Sequence, residues 1–302
     1  MAEKIVYHFC NINTFYSIIS NQTLRLSDIT KSNDQLEITW AISIIRKVFE
    51  KKYAELEEWV KTEITKEKYM DRIDEKVALY FEQDGLKNKF FVICFSGKES
   101  GDLLSQWRGY GDDGRGISIG LSEHMLKKIG DSVQLYEGQD RCILYNKVIY
   151  DQKEQEKRME KIVGHFLDKL KDIDQDNGLG INNEFESILL KCFPRLYQEA
   201  IFMKNPFFQE ENESRLVIYE GGQGEKIEKN GLDISDKCYY NRNNQLVGYY
   251  DISLKQIQQK RILKLILGPK CKNDRATLSS FLKDNGFDLE EKNIFYSKGS
   301  YL

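Results

Sequence analysis

Apolar positions along the chain follow two different periods. Residues 5–9 form a short apolar run that reads as a strand. Phe15, Ile18 and Ile19 then make a helical stripe, with Asn13 as its expected cap and Asn21 as its stop. Leu24-Arg25-Leu26 alternates like a half-buried strand. From about 36 to 81 the spacing turns helical: Ile45, Phe49, Tyr53, Leu56, Val60 and Ile64 recur three or four apart, and pairs such as Glu57–Lys61 are expected outside. Residues 90–96 are β-branched and aromatic and predict a buried strand. Next come one or two helical turns over 103–108, a glycine-rich loop, a strand over 117–121 and a long strand over 141–150. Helical patterns return at 153–171 and 184–203, separated by a polar loop at 172–183. The last third predicts strands at 214–219, 238–240, 246–250 and 262–267, a helix at 272–285 and a final strand at 293–296.

These elements come in irregular blocks rather than strict strand–helix alternation, so the expected class is α+β. No proline- or serine-rich linker divides the chain and no repeat is visible. The expectation is one elaborated domain over 1–302, with helical insertions at about 36–85 and 151–203.

Composition narrows the partners. Forty per cent hydrophobic and 31% charged residues with three prolines exclude a disordered or fibrous chain. Forty-five Lys+Arg against 48 Asp+Glu, a net charge of −3, leaves no overall basic field to draw the protein onto nucleic acid. Glu3, Lys4, His8, Asn11 and Asn13 interrupt the start too often for a secretory signal. The longest apolar run, 90–95, is far shorter than the ~20 residues a bilayer needs, so no membrane partner is expected. The six cysteines (Cys10, Cys94, Cys142, Cys192, Cys238 and Cys271) lie far apart without metal-ligand spacing. Reduced thiols, a cytoplasmic location and no metal are the expectation.

Three motifs spell familiar chemistry in the wrong setting. Gly109–Gly114 matches G-x-G-x-x-G, but a dinucleotide loop needs a strand before and a helix after it, and here the order looks reversed. Ser118 sits in G-x-S-x-G, yet alternating Ile117 and Ile119 place it within a strand rather than on a sharp turn. Asp172, Asp174 and Asp176 resemble a calcium loop, but Gly178 and Glu184 fall one residue late. His124 after Ser122, and His165 in a charged helix, read as ordinary boundary or surface residues.

Three islands combine polar groups with apolar strands. The first is Tyr7-His8-Phe9 leading to LRLSD, then Asn33-Asp34 and Glu37; the second is CFS followed by Ser105–Tyr110 and GISIGL. In the third, period-two alternation sends Glu211, Glu213 and Arg215 to one side at the mouth of a strand. YHF, LRLSD, CFS, WRGYG, GISIG, E-x-E-x-R, ILKLILGP and a final S-x-x-x-Y ending at Tyr301, in this order, resemble the bacterial family catalogued as domain of unknown function 2971. A second resemblance is to the ADP-ribosyltransferase superfamily.

That second resemblance implies a mixed or antiparallel sheet core of ADP-ribosyltransferase-like type and NAD as substrate. It places His8 against the nucleotide ribose beside Tyr7, and Tyr110 or Trp107 against nicotinamide. Glu213 takes the place of the catalytic acid, with Glu211 before it. The mid-chain serine-threonine-serine strand of that superfamily has no counterpart here. Arg215 would orient Glu213 or bind pyrophosphate. The expected function is an NAD-consuming ADP-ribosyltransferase or NAD glycohydrolase, used in bacterial anti-phage or toxin biology, with protein, nucleic acid or water as acceptor.

Plainer readings stand beside these roles. His8 can be a hydrogen-bonded strand residue, Trp107 and Tyr110 packing anchors, and Glu213–Arg215 an ion pair closing a strand end. The whole can then be a non-catalytic module that binds a nucleotide or a partner. The catalytic reading requires the three islands to converge on one pocket.

Overall fold

Among the described residues of the computed structural model, ten strands pair into one mixed, largely antiparallel open sheet, making the fold α+β. The structure describes residues 3–31, 36–82, 90–97, 101–131, 141–172, 178–220, 233–255, 257 and 261–299. Asn33, Asp34, Asp174, Asp176 and Tyr301 lie outside them, as do the side chains of Glu37 and Asp172, and with them the calcium-like run.

The strands are β1 (Ile5–Cys10), β2 (Thr23–Asp28), β3 (Phe90–Ser96), β4 (Ile117–Ser122), β5 (Arg141–Lys147), β6 (Glu213–Glu220), β7 (Cys238–Arg242), β8 (Gln245–Ser253), β9 (Ile262–Leu267) and β10 (Ile294–Tyr296). The helices are α1 (Ile12–Asn21), α2 (Leu36–Ala54), α3 (Glu58–Glu63), α4 (Lys66–Val77), α5 (Leu104–Gly109), α6 (Glu123–Asp131), α7 (Gln152–Leu167), α8 (Gly178–Ala200) and α9 (Arg275–Asp284).

By packing, the described chain falls into two compact units. One comprises residues up to 31, 88–147 and 210 onward; the other comprises 32–87 and 148–209. The first holds the whole sheet. Its core gathers Val6, Ile19, Leu24, Leu26, Phe91, Ile93, Leu216 and Ile252, all buried. The second is helical. Phe49 stacks on Phe193 at 5.7 Å and Tyr69 on Phe185 at 5.0 Å, and these aromatics carry much of the burial that holds α2, α4 and α8 together.

Strand β3 organises the sheet. Along one edge it pairs with β6 over its full length, from Phe90↔Tyr219 to Ser96↔Glu213. The other edge is shared: β1 meets it only at Tyr7↔Ser96, and β2 only at Ser27↔Val92 and Asp28↔Phe91. Both neighbours run antiparallel to β3, so each would otherwise claim the positions between these pairs. The sheet forks instead. One arm continues through β4, β9 and β10, the other through β8 and β7.

Several boundaries differ from the expected ones, each for a local reason. Helix α1 is capped by Asn11, whose side chain accepts from the Thr14 amide at 2.8 Å, rather than by Asn13. The helical run after residue 36 breaks before α3, so Lys61 pairs with Glu58 at 2.9 Å while Glu57 accepts from Trp59. Strand β5 stops at Lys147 because its partner begins there, at Lys147↔Ser214. Helix α8 starts at Gly178, back through a stretch that reads as polar, because Ile181 is fully buried. The turn Asn243-Asn244 has both residues at positive φ (52° and 63°), as a two-residue hairpin loop requires.

Candidate functional site

A cleft of about 520 Å³ occupies the fork of the sheet, within the size range of small-molecule sites. His8, Phe9 and Cys10 of β1 form one wall, and Thr23, Arg25 and Ser27 of β2 the other. Strand alternation explains the second wall: Leu24 and Leu26 go to the core, leaving the odd positions to the cleft. Val92, Ile93 and Cys94 of β3 lie along the bottom, and α1 adds Asn13, Ser17 and Asn21.

A smaller cavity of about 60 Å³ adjoins it, room for a few waters or one hydroxyl-bearing group. His8, Phe9, Cys94 and Tyr110 border both. The small cavity adds Tyr7, Ser96, Gln106, Glu211 and Glu213. All three sequence islands therefore contribute to it.

The register sets the Glu213 end. Tyr7 stands opposite Ser96, and Ser96 opposite Glu213, a row across three strands that shares one face. Before β6, Asn212 takes a left-handed conformation (φ 44°). Its carbonyl accepts from the Gly97 amide at 2.7 Å, and the Glu211 carbonyl accepts from Ser96 Oγ at 2.9 Å. The end of β3 thus holds the turn that delivers Glu213. Arg215 completes the setting: its Nε and Nη2 donate to the two Glu213 oxygens at 2.7 and 3.1 Å, deep in the protein.

His8 is half-buried on β1, its ring edge-on to Phe95. Its Nδ1 lies 3.0 Å from the Cys94 carbonyl oxygen. A carbonyl can only accept, so Nδ1 carries the proton and Nε2 is left as an acceptor in the neutral ring. Burial pushes the imidazole below its ordinary pKa, against the opposing pull of the Cys94 carbonyl. Cys10, also on the cleft wall, has its thiol pushed up to about 12 by burial and is no nucleophile at neutral pH.

The two candidate aromatics separate. Tyr110, just past α5, is 47% exposed and borders both cavities. Trp107 is 1% exposed, packed with Tyr7, Phe9 and Ile266, and its Nε1 donates to Asp102 at 2.7 Å. Trp107 therefore packs beneath the site and borders neither cavity. Arg215 likewise borders neither cavity; it holds Glu213, the first of the two roles expected of it.

In the G-x-G-x-x-G stretch Gly111 packs against Trp107 and Gly114 takes a positive φ of 82°, while a Cβ at Gly109 would meet nothing within 4 Å among the described residues. Helix α5 precedes it and β4 follows, the reverse of a dinucleotide loop. Ser118 is fully buried mid-strand, and its hydroxyl has no hydrogen-bond partner among the described residues. Among the described residues no group of three or more His, Cys, Asp or Glu side chains is placed to hold a metal, and no helix is long and apolar enough to cross a membrane.

Sequence reasoning did not single out Gln106, Arg25, Arg242 or Asp251, all of which line one cavity or the other. The polar Arg25 between two core leucines was the one local signal.

No curated protein and no solved structure matches the chain, so the likeness to ADP-ribosyltransferases gains nothing from comparison. A family model described as "Protein of unknown function (DUF2971)" matches residues 106–216. That segment carries Gln106, Tyr110, the GISIG strand and the Glu211–Arg215 run, while His8 and Arg25 precede it. Over this stretch, from the helix that opens the small cavity to the strand that bears its buried acid, the chain is similar to the DUF2971 proteins of unknown function.

Proposed function

We propose that the forked cleft binds NAD and cleaves its nicotinamide–ribose bond, in the manner of the ADP-ribosyltransferase-like fold type. The observation that carries this reading is the meeting of His8, Tyr110 and buried Glu213 around one small cavity beside a cleft of nucleotide size.

The bond from ribose C1′ to the nicotinamide nitrogen breaks with its electron pair leaving on nicotinamide, which becomes neutral. Positive charge develops on the sugar, and the Glu213 carboxylate stabilises it while accepting from a ribose hydroxyl. Arg215 donates to both Glu213 oxygens and fixes the orientation of the carboxylate. His8 Nε2 accepts from the other ribose, and the Tyr110 ring lies against the leaving group. Water or an acceptor hydroxyl then bonds to C1′ and gives up its proton to solvent water. The alternative, a nucleotide-binding module without catalysis, is favoured by one observation: Glu213 is already held by Arg215 at both oxygens.

The test is nicotinamide release from NAD by the purified chain. Glu213→Gln is expected to lose about 100-fold or more, measured at a temperature where this less stable variant is still folded, and His8→Ala to weaken NAD binding with a native unfolding midpoint. No release by any form, together with no NAD binding, overturns the proposal; binding without release leaves the module.

A further inference from the structure

At the end of the large cleft away from Glu213, the second arm of the fork presents two guanidinium groups, Arg25 and Arg242, against one carboxylate, Asp251. Arg25 is held from several directions. Its Nε and Nη2 donate to the two oxygens of Asp251 at 3.1 and 3.2 Å, directly across the β2–β8 pairing. Its Cζ lies 3.8 Å from the Tyr249 ring centre and 5.7 Å from that of Tyr240. The head group is thus fixed in place, and Nη1 meets no protein acceptor among the described residues. Arg242, exposed at the end of β7, donates to the Lys31 carbonyl at 3.3 Å and borders the same cleft. Neutral polar side chains of α1, Asn13 and Asn21, face the cleft with them, so its formal charge is positive.

We propose that Arg25 and Arg242 form a subsite for the diphosphate group of a nucleotide. A pre-oriented arginine with a free N–H edge, rigidly backed by an aromatic ring, suits phosphate oxygens, and little side-chain freedom is lost on binding. Asp251 acts as the positioning partner of Arg25, not as a competitor for the ligand, because it takes the opposite edge. This assignment rests on reading the cleft as a nucleotide site, yet it does not require Glu213 to be catalytic.

The experiment is calorimetric binding of ADP, with adenosine and inorganic pyrophosphate as separate probes. Arg25→Gln and Arg242→Gln are each expected to weaken ADP and pyrophosphate at least tenfold and to leave adenosine unchanged. Asp251→Asn, whose amide nitrogen cannot accept from Arg25 and so releases one of its two bonds, is expected to weaken ADP and pyrophosphate and leave adenosine unchanged; unchanged ADP affinity in this variant overturns the positioning role. If Arg25→Gln loses the native unfolding midpoint, exposed Arg242→Gln carries the test. Failure of the wild-type chain to bind ADP, or equal ADP affinity in the folded arginine variants, overturns the subsite. Arginine-dependent ADP binding with no NAD cleavage sinks the catalytic reading and leaves the subsite standing; cleavage with arginine-independent binding does the reverse.

Discussion

Glu213 and Arg215, two residues apart on β6, share a doubly bonded ion pair with side chains only 7% and 3% exposed. Two-residue spacing puts both on one face of the strand, and the fork of the guanidinium matches the two carboxylate oxygens. Neither charge is tolerable there alone.

Removing one partner therefore strands the other. Arg215→Met is expected to destabilise the fold by about 3–5 kcal/mol. The double variant Glu213→Leu with Arg215→Met is expected to recover much of that loss. Urea unfolding of the two singles and the double measures the coupling, and strict additivity would refute a tightly coupled pair.

The imidazole of His8 is held below its ordinary pKa, so the folded chain binds a proton there less readily than the unfolded chain. The sign follows: this contribution to stability is complete above the unfolded value of about 6.5 and declines as the pH falls beneath it. Unfolding midpoints at pH 7.5 and 5.5 in the wild-type chain and in His8→Asn measure it. The expected outcome is a smaller acid loss in the variant.

Trp107 joins Tyr7, Phe9 and Ile266 beneath the small cavity, and Asp102 ties its indole to the Ser297 hydroxyl (2.6 Å) and the Lys298 amide (2.7 Å). Trp107→Ala is expected to cost about 3–5 kcal/mol, and Trp107→Phe less. Chemical denaturation checks the order, and an unchanged midpoint in Trp107→Ala would remove the anchoring role.

Gly116 enters β4 against the neighbouring strand. A Cβ there would lie 2.1 Å from the Cys10 carbonyl oxygen and 2.9 Å from that of Gly111, both backbone atoms that cannot swing aside. Gly116→Ala is expected to destabilise by about 3 kcal/mol or more, whereas Gly109→Ala, whose Cβ meets nothing within 4 Å among the described residues, is expected to be tolerated. Thermal unfolding of the two variants side by side settles the contrast.

Much of this was legible in the sequence because strands announce their faces locally. Alternation around Leu24-Arg25-Leu26 and from Glu213 to Arg215 placed those side chains on their faces, whereas Glu211 lies in a 3-10 turn and left-handed Asn212 breaks the alternation before the strand. Order along the chain also suggested which islands to compare. What could not be read were the long-range registers: Arg25 meets Asp251 across 226 residues, and no local pattern encodes that pairing. Trp107 and Tyr110 illustrate the same limit at short range. They sit at one end of a six-residue helix, and only tertiary packing decides that one is buried and the other faces the cavity.

Because the cleft arises where two strands part company over a third, its base is set by main chain and its width by hydrogen-bonded ladders. Point substitutions can redecorate the rim but hardly remodel such a base. Divergence in ligand choice among chains built this way should therefore accumulate on α1, on the β7–β8 hairpin and at position 110, while the shape of the groove persists.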